Sequence, residues 1–414
     1  MHADVTTAYL RWALVRAALA RGWWLATALY LVVVANLSPS QLVLIGVFQG
    51  LTVVVAEVPA GVLADAASRR LALVVSHVVM GAGMAMTGFV TAYPLLVVSQ
   101  CLWGLGWAMA SGADVAWITD ELDRSDLIDR VLTAQGRFDL IGTAVGIIVF
   151  GALAWTMSLS VAIVVAGVSM VGLGLAVVAR WPESRRGPDI LGGPRAASVA
   201  VLRRGLAVAR ADRMIGLILA STLLVNGGAE GFGRLFERRL IGLGVPAAPD
   251  PIVWFAALAL VAAALGATTL LFVEARIAGA GVAKRTYVAA CGIGTVGLVV
   301  FSQAPNAGSA VAGALLVKGI AFPTVRITGT ILVNRRTPSE ARATVHSLLS
   351  LSENAGEIVC GLALAGIASA TSSAVTLMAS AGLVAVAGVV ASAARDDRRE
   401  GPALGWDRHR PPAS

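Results

Sequence analysis

The sequence predicts an all-α membrane protein with twelve transmembrane helices in two six-helix bundles. First, 57% of the 414 residues are hydrophobic and only 14% are charged, which is too little polar surface for a soluble protein of this length. Second, apolar runs of about 20 residues, the length that crosses a bilayer, recur along nearly the whole chain. Third, one long basic connection divides these runs into two sets of six.

The apolar runs place the helices in order along the chain. The first six spans are predicted at roughly 12–36, 41–65, 71–91, 95–120, 134–156 and 159–180. The other six are predicted at roughly 214–235, 252–273, 287–302, 309–333, 345–368 and 372–394. The strands of a membrane barrel would be half as long and would alternate in polarity, which these runs do not.

The basic connection at 181–213 is rich in Arg, Gly and Pro and separates the two bundles. It predicts an N-terminal bundle at 1–180 and a C-terminal bundle at 214–395, followed by a tail at 396–414. Both bundles have the same orientation because six is an even number of spans. Paired bundles of this kind commonly bind their solute near the midplane, between the halves.

The positive charges alternate along the connections. The net charge is +8, yet the short connections after spans one, three, five, nine and eleven contain no Lys or Arg. The even-numbered connections do contain them, and Arg238 and Arg239 after the seventh span are the exceptions. The positive-inside rule therefore predicts a multi-pass protein of the inner (plasma) membrane with both termini in the cytoplasm. The same distribution argues against a nucleic-acid interface.

A short stretch after the second span carries a motif. "EVPAGVLADAASRR", residues 57–70, resembles the loop signature of the major facilitator superfamily, G-x-L-A-D-x-x-G-R-R. The resemblance covers about residues 10–395 and implies the fold of that superfamily and transport by alternating access, similar to its drug exporters. The matching residues are Gly61, Leu63, Ala64, Asp65, Ser68, Arg69 and Arg70.

The resemblance also implies a conformational latch. Asp65 would accept hydrogen bonds from free N–H groups at the start of the eleventh helix, where the helix dipole favours an anion. Arg69 would pair with Asp120 or Glu121 at the end of the fourth helix. The alternative is that the two arginines of the loop only enforce topology. The latch residues are Gly61, Asp65, Arg69, Arg70 and Asp120.

The sequence departs from the proton-coupled drug exporters of the superfamily at two places. Gln100 stands where those exporters carry the arginine of an R-x-x-Q-G pattern. The fifth helix lacks the proline of the antiporter element G-P-x-x-G-G, and Gly142, Gly146 and Gly151 indicate close helix packing instead. These departures argue against proton coupling by that route and leave little sequence support for antiport.

Ionised side chains within the spans are costly unless they face the bundle interior or water, and they mark candidate sites. Asp114 lies six residues, about 9 Å, inside Asp120 and indicates either a cavity-facing group that binds cations or protons, or a pair with a neighbouring arginine. Glu57, about two turns inside Asp65, has the same two interpretations. Arg21 must either extend to the cytoplasmic interface or face a water-filled cavity.

The eleventh helix has the best-organised polar face. His346, Ser350, Glu353, Asn354 and Glu357 follow a spacing that places them on one stripe. Two carboxylates one turn apart repel each other in a medium of low dielectric constant, so the pair suits proton exchange. The alternative is a set of structural hydrogen bonds to neighbouring helices.

The seventh and tenth helices contribute further candidates. Asn226, Glu230 and Arg234 share a face, and the last two are most simply an ion pair at i, i+4. Lys318 and Arg326 of the tenth helix, together with Arg137 of the fifth, would either complete charge pairs across the bundle or contact an anionic solute.

The favoured function is secondary active export of small amphipathic compounds, with protons as the candidate coupling ion and the bilayer and a small-molecule substrate as partners. An alternative is uptake or facilitated passage of a small anionic metabolite through Arg137, Lys318 and Arg326. A non-transporting scaffold or receptor is a third hypothesis, which the density of intramembrane acids argues against.

An enzyme is not predicted, because the sequence lacks a Ser-His-Asp spacing, a phosphate loop and a metal cluster. The three cysteines stand singly and read as core residues. We expect a monomer without cofactor or metal.

Overall fold

A computed structural model of the chain describes residues 2–66, 68–122, 125–182, 212–246, 248–277, 281–337 and 342–394. All regular secondary structure in these segments is helical. The first six helices are α1 (His2–Val33), α2 (Pro39–Ala66), α3 (Arg69–Phe89), α4 (Tyr93–Leu122), α5 (Ser125–Thr156) and α6 (Leu159–Arg180). The other six are α7 (Arg213–Gly242), α8 (Pro251–Glu274), α9 (Val282–Gln303), α10 (Ala307–Arg336), α11 (Arg342–Ala370) and α12 (Ser373–Ser392).

By length and composition, eleven of these described helices are long and apolar enough to cross a membrane. The twelfth is α1, which carries Arg11, Arg16 and Arg21 among its apolar residues. The predicted all-α fold and the order of the spans are confirmed. The helices project beyond the apolar runs, so α7 continues to Gly242 rather than ending near residue 235.

Two of the spans are irregular. The α4 helix is interrupted at Ser111 and Gly112, where Gly112 has a φ of 78°. The α10 helix contains a π-helical segment, Leu316–Ala321, one turn before Pro323. Such segments are frequent at functional sites.

Each bundle forms by close packing of its own helices. In the first, α1 packs against α5 and α6, and α3 packs against α4 and α6. In the second, α7 packs against α11 and α12, and α9 packs against α12 and α10. Small residues make this packing close, since a Cβ atom at Gly142 or Gly146 of α5 would overlap the α1 backbone.

The two bundles meet chiefly through α2 and α11, α5 and α8, and α2 and α7. We call the end of the molecule at which α1 begins and α12 ends the terminal end, and the other the opposite end. Consecutive helices run in opposite directions, so odd-numbered helices begin at the terminal end and even-numbered helices end there. The predicted connection 181–213 and tail 396–414 lie almost entirely outside the described residues.

Candidate functional site

A central cavity of about 320 Å³ lies between the two bundles. Its wall comes from α1, α2 and α5 of the first bundle and from α7, α8 and α10 of the second. The wall combines apolar and aromatic side chains with ionisable ones, as is usual for a small-molecule site. The ionisable residues are Arg21, Glu230, Arg234, Glu237 and Lys318.

Arg234 of α7 connects the two bundles at this cavity. Its Nε donates a hydrogen bond to Glu230 Oε1 at 2.7 Å, which is the ion pair expected from the i, i+4 spacing. Its Nη2 donates to Oε1 of the buried Gln49 of α2, also at 2.7 Å. The guanidinium carbon lies 5.4 Å from the ring centroid of Trp24 in α1. Three helices from both bundles therefore hold one cation in place.

The α2 helix reaches this ion pair because Gly46 has no side chain. A Cβ atom at Gly46 would overlap Glu230 Oε1 and would lie 2.6 Å from Arg234 Nε. One turn along α2, a Cβ atom at Gly50 would lie 3.5 Å from the Ile358 side chain, an ordinary contact.

Lys318 lies in the π-helical segment of α10, with its Nζ 3.6 Å from the ring centroid of Phe236. The charges of Lys318 and Glu237 are close enough to interact. Across the described part of the chain, Lys318 Nζ has no hydrogen bond, whereas Glu237 has one to the backbone. The cavity therefore presents an ammonium group on an aromatic face and a carboxylate beside it.

Arg21 lies near the middle of α1, and its exposed side chain lines the central cavity. The sequence left open whether Arg21 extends to the cytoplasmic interface or faces a cavity, and its side chain faces the cavity. Arg21 and Lys318 thus bring two cations to the cavity from different bundles, which is the arrangement that an anionic group of a solute would bridge.

A second cavity of about 310 Å³, which we call the C-bundle cleft, lies between α7, α10 and α11 on the terminal side. It brings together Asn226, Arg326, Glu353 and Glu357. Asn226 donates to the Thr222 carbonyl oxygen at 2.9 Å, and the Arg326 charge acts on Glu353.

Glu357 stands between the C-bundle cleft and the central cavity. It lines the cleft, and its charge interacts with those of Glu230, Arg234 and Glu353. The two carboxylates predicted on one stripe of α11 are therefore on the same wall, and one of them neighbours the ion pair that crosses the bundles.

Other predicted residues lie elsewhere. Asp114 is 7% exposed, forms an ion pair with Arg16 at 3.5 Å, and accepts a hydrogen bond from the Val115 N–H at 2.8 Å at the start of the second segment of α4. Glu57 and Arg137 have exposed side chains and line neither the central cavity nor the C-bundle cleft.

The predicted latch is described in part. Arg69 forms an ion pair with Asp120 and donates to the Ala116 carbonyl oxygen at 2.8 Å. Arg70 donates to the Trp181 carbonyl oxygen at 2.8 Å. Gly61 and Asp65 lie in the last two turns of α2, and the Asp65 side chain is not among those that the structure describes.

The sequence analysis missed Glu237 and Gln49. Glu237 lies beyond the predicted end of the seventh span, but it follows Glu230 and Arg234 at seven and three residues and so continues their stripe. Gln49 is a single amide in an apolar span, a type of residue that often bonds across membrane helices. The spacing of Glu237 can be recognised in the sequence once the seventh span is extended to Gly242, and Gln49 can be recognised without that change.

Comparisons with known proteins agree with this geometry. The family model of the Major Facilitator Superfamily matches residues 13–359. The fold is similar to that of the nucleoside transporter NupG, with a TM-score of 0.78 and 12% identity over 94% of this chain and 98% of that one. It is also similar to a bacterial homolog of the human lysosomal transporter Spinster in an inward-facing and occupied conformation, with a TM-score of 0.73 and 15% identity over 96% of this chain and 98% of that one.

An auto-inhibited POT family peptide transporter is similar as well, with a TM-score of 0.72 and 13% identity over 98% of this chain and 99% of that one. At these identities the likeness shows the fold alone. No curated protein matches the sequence. The family and the fold indicate a membrane transporter rather than an enzyme.

Proposed function

We propose that this chain, which belongs to the Major Facilitator Superfamily, is a secondary transporter that exports an amphipathic organic anion by alternating access. The observation that carries the proposal is the central cavity, which lies between the bundles and receives charged side chains from both. A solute held there contacts both halves at once, so its binding is coupled to their relative movement.

The wall of the cavity supports this class of substrate. Arg21 and Lys318 supply two cations, and Glu237 supplies one carboxylate outside the Glu230–Arg234 pair, so the cavity has an excess of positive charge. Trp24, Phe236 and Phe255 supply aromatic surface. Such a wall suits a solute with an anionic group and an apolar body.

The cations that line the cavity differ from those in the sequence-based alternative of an anion importer. That hypothesis joined Lys318 with Arg137 and Arg326, yet Arg326 lines the C-bundle cleft and Arg137 lines neither cavity. We therefore keep Lys318 in the substrate site and pair it with Arg21. The aromatic surface favours export of an amphipathic compound over passage of a small metabolite.

The contacts between the bundles support a state that is closed at the opposite end. Arg234 bonds Gln49, and Arg238 donates to the Leu37 carbonyl oxygen at 2.8 Å. Both contacts cross between the bundles in the opposite half. Export requires that they break, while the latch of Gly61, Asp65, Arg69, Arg70 and Asp120 closes the terminal end.

Protons are the proposed coupling ion, and Glu357 is the proposed group. It neighbours Glu230 and Arg234, so a change of its charge alters the balance of the ion pair that holds α2 to α7. Glu353 is the proposed relay toward the terminal end through the C-bundle cleft. The proposed location is the inner membrane, with both termini in the cytoplasm and the protein a monomer.

The test is flux of a fluorescent amphipathic anion, 8-anilinonaphthalene-1-sulfonate, in proteoliposomes that contain the full chain and carry an imposed pH gradient. The chain has two lysines, which provide a matched pair of variants. Lys318→Gln removes one of the two cations proposed to bind the solute and is expected to lower flux at least tenfold, since a charge contact in the cavity is lost. Lys284→Gln removes a lysine that bonds the Ala394 carbonyl oxygen, away from the cavity, and is expected to leave flux unchanged.

Wild-type flux no higher than that of empty liposomes, or equal flux in the two lysine variants, would contradict the proposed substrate site. Coupling is tested separately with Glu357→Gln, which is expected to remove the dependence of flux on the pH gradient while exchange of probe at equal pH continues. If flux in Glu357→Gln still depends on the pH gradient, Glu357 has a structural role and does not couple transport to protons.

A further inference from the structure

An apolar groove of about 450 Å³ lies beside the central cavity, toward the opposite end. Its wall comes from α7, the segment that follows it, α8 and α10, and contains only apolar residues and glycine. Two of the side chains that line it, Trp254 and Val261 of α8, are 42% and 51% exposed. Because α8 and α10 are long and apolar enough to cross a membrane, we place these exposed side chains at the level of the bilayer.

The groove adjoins the central cavity. Phe255 and Leu258 of α8 line both. Along α10, the groove residues Leu315 and Val311 lie three and seven residues before Lys318, in the turns that lead to it from the opposite end. On α7, Leu240 in the groove is one turn beyond Glu237 in the cavity. The charged cavity and the apolar groove therefore lie side by side, separated by no more than shared side chains of α8.

We propose that the groove binds the hydrocarbon chain of a single-chain amphiphile whose anionic head group lies at Lys318. The inference rests on the proposed transport function and narrows its substrate class. Lys318 has no hydrogen-bond partner in the described segments, so a head group gains a charge-assisted contact there. Each methylene group that enters the groove leaves water, which favours binding of longer chains.

The dimensions and the position of the groove fit this occupant. From Leu315 to Ala307, the α10 wall contains nine residues, which span about 12 Å along the helix. The exposed side chains of Trp254 and Val261 border the bilayer, so the chain leaves sideways into the leaflet at the opposite end while the head group leaves the cavity. This exit agrees with the proposed direction of transport.

The experiment measures binding of alkyl sulfonates with four to ten carbons to the full-length protein in nanodiscs, by displacement of 8-anilinonaphthalene-1-sulfonate. Protein-free nanodiscs correct for partition into the lipid. In the wild type, affinity is expected to rise about fourfold with each CH₂ group until the groove is filled. Lys318→Gln is expected to weaken every member by about the same factor and to keep this dependence on length.

A matched pair of substitutions locates the chain. Val311→Trp fills the groove and is expected to abolish the dependence on length while binding of butanesulfonate is unchanged. Val389→Trp adds the same volume at a 68% exposed position of α12 and is expected to behave as the wild type. If Val311→Trp does not yield monodisperse protein, Val261→Trp at the exposed rim of the groove replaces it.

The outcomes separate this inference from the function on which it rests. A length dependence that survives in both groove variants would overturn the groove proposal, as would butanesulfonate binding at Lys318 with no gain from longer chains. The proposed substrate site itself would be overturned if no sulfonate bound and no probe crossed the membrane.

Discussion

Gly46 of α2 is where the first bundle approaches the buried ion pair of the second. A side chain there would overlap Glu230 Oε1, and the Arg234 guanidinium lies immediately behind it. Alanine must therefore displace the pair or move α2 away from α7. We expect Gly46→Ala to destabilise the protein by about 1–3 kcal/mol, as overpacking usually does, and to reduce flux of the probe. Thermal unfolding of the purified protein and proteoliposome flux measure the two effects.

The matched control is Gly50→Ala, one turn along the same helix. Its Cβ atom would meet Ile358 and Glu357 at 3.5 and 3.8 Å, so it is expected to leave both stability and flux close to the wild type. Equal losses in the two variants would show that α2 needs glycine for its backbone rather than for the approach to Glu230.

Individual residues of the site were predictable to different degrees. Glu230 and Lys318 are charges inside apolar runs, and the cost of burying a charge in lipid singles them out. The cost of burial does not identify Glu237, because a charge at the end of an apolar run is usually interpreted as the start of a loop. In the structure the helix continues past its neighbours Arg238 and Arg239, which donate to the carbonyl oxygens of Leu37 and Ser302.

The α4 helix illustrates what hydropathy does not predict. Its two segments meet at Gly112, whose positive φ favours glycine, and the second segment begins with Asp114 bonding the Val115 N–H and pairing with Arg16. The run "MASGAD" is apolar enough to read as one continuous helix. Likewise the distortion of α10 is a π-helical segment ending just before Pro323, where the sequence predicts only a kink at the proline.

Gly112→Ala tests the break in α4. No atom lies within 4 Å of the added Cβ, so the change acts only through the backbone, which an alanine holds at positive φ at a cost of about 1–2 kcal/mol. We expect a lower unfolding temperature and, because the second segment carries Asp114 and Asp120, weaker transport. Gly136→Ala in α5 also has open space but ordinary helical backbone, so it is expected to be neutral or stabilising. If Gly136→Ala lowers the unfolding temperature and transport as much as Gly112→Ala does, the positive φ of Gly112 is not the cause of the loss.

At the scale of the whole molecule, two halves of equal orientation were predictable from six apolar runs on each side of a basic connection. The end at which the two bundles are in contact was not predictable, because it depends on pairs such as Arg234 with Gln49 that are 185 residues apart in sequence.

The contacts between α5 and α8 allow the role of this end to be tested. Gly151 and Ala256 both lie in the opposite half, and a Cβ atom at Gly151 would be 3.3 Å from that of Ala256.

A disulfide between Gly151→Cys and Ala256→Cys is therefore expected to form with little distortion and to hold the opposite end closed. The native Cys101, Cys291 and Cys360 are replaced by serine in this variant. If the transporter alternates between two states, oxidation should stop flux of the probe and a reductant should restore it.

The control is a cross-link within one bundle, Gly388→Cys with the native Cys291 retained, where the corresponding Cβ separation is 3.1 Å. Since α9 and α12 pack against each other within one bundle, that disulfide should leave flux intact. Flux that persists in fully cross-linked Gly151→Cys/Ala256→Cys protein would mean that the opposite end need not open, and movement of the two bundles against each other would then not be the basis of transport.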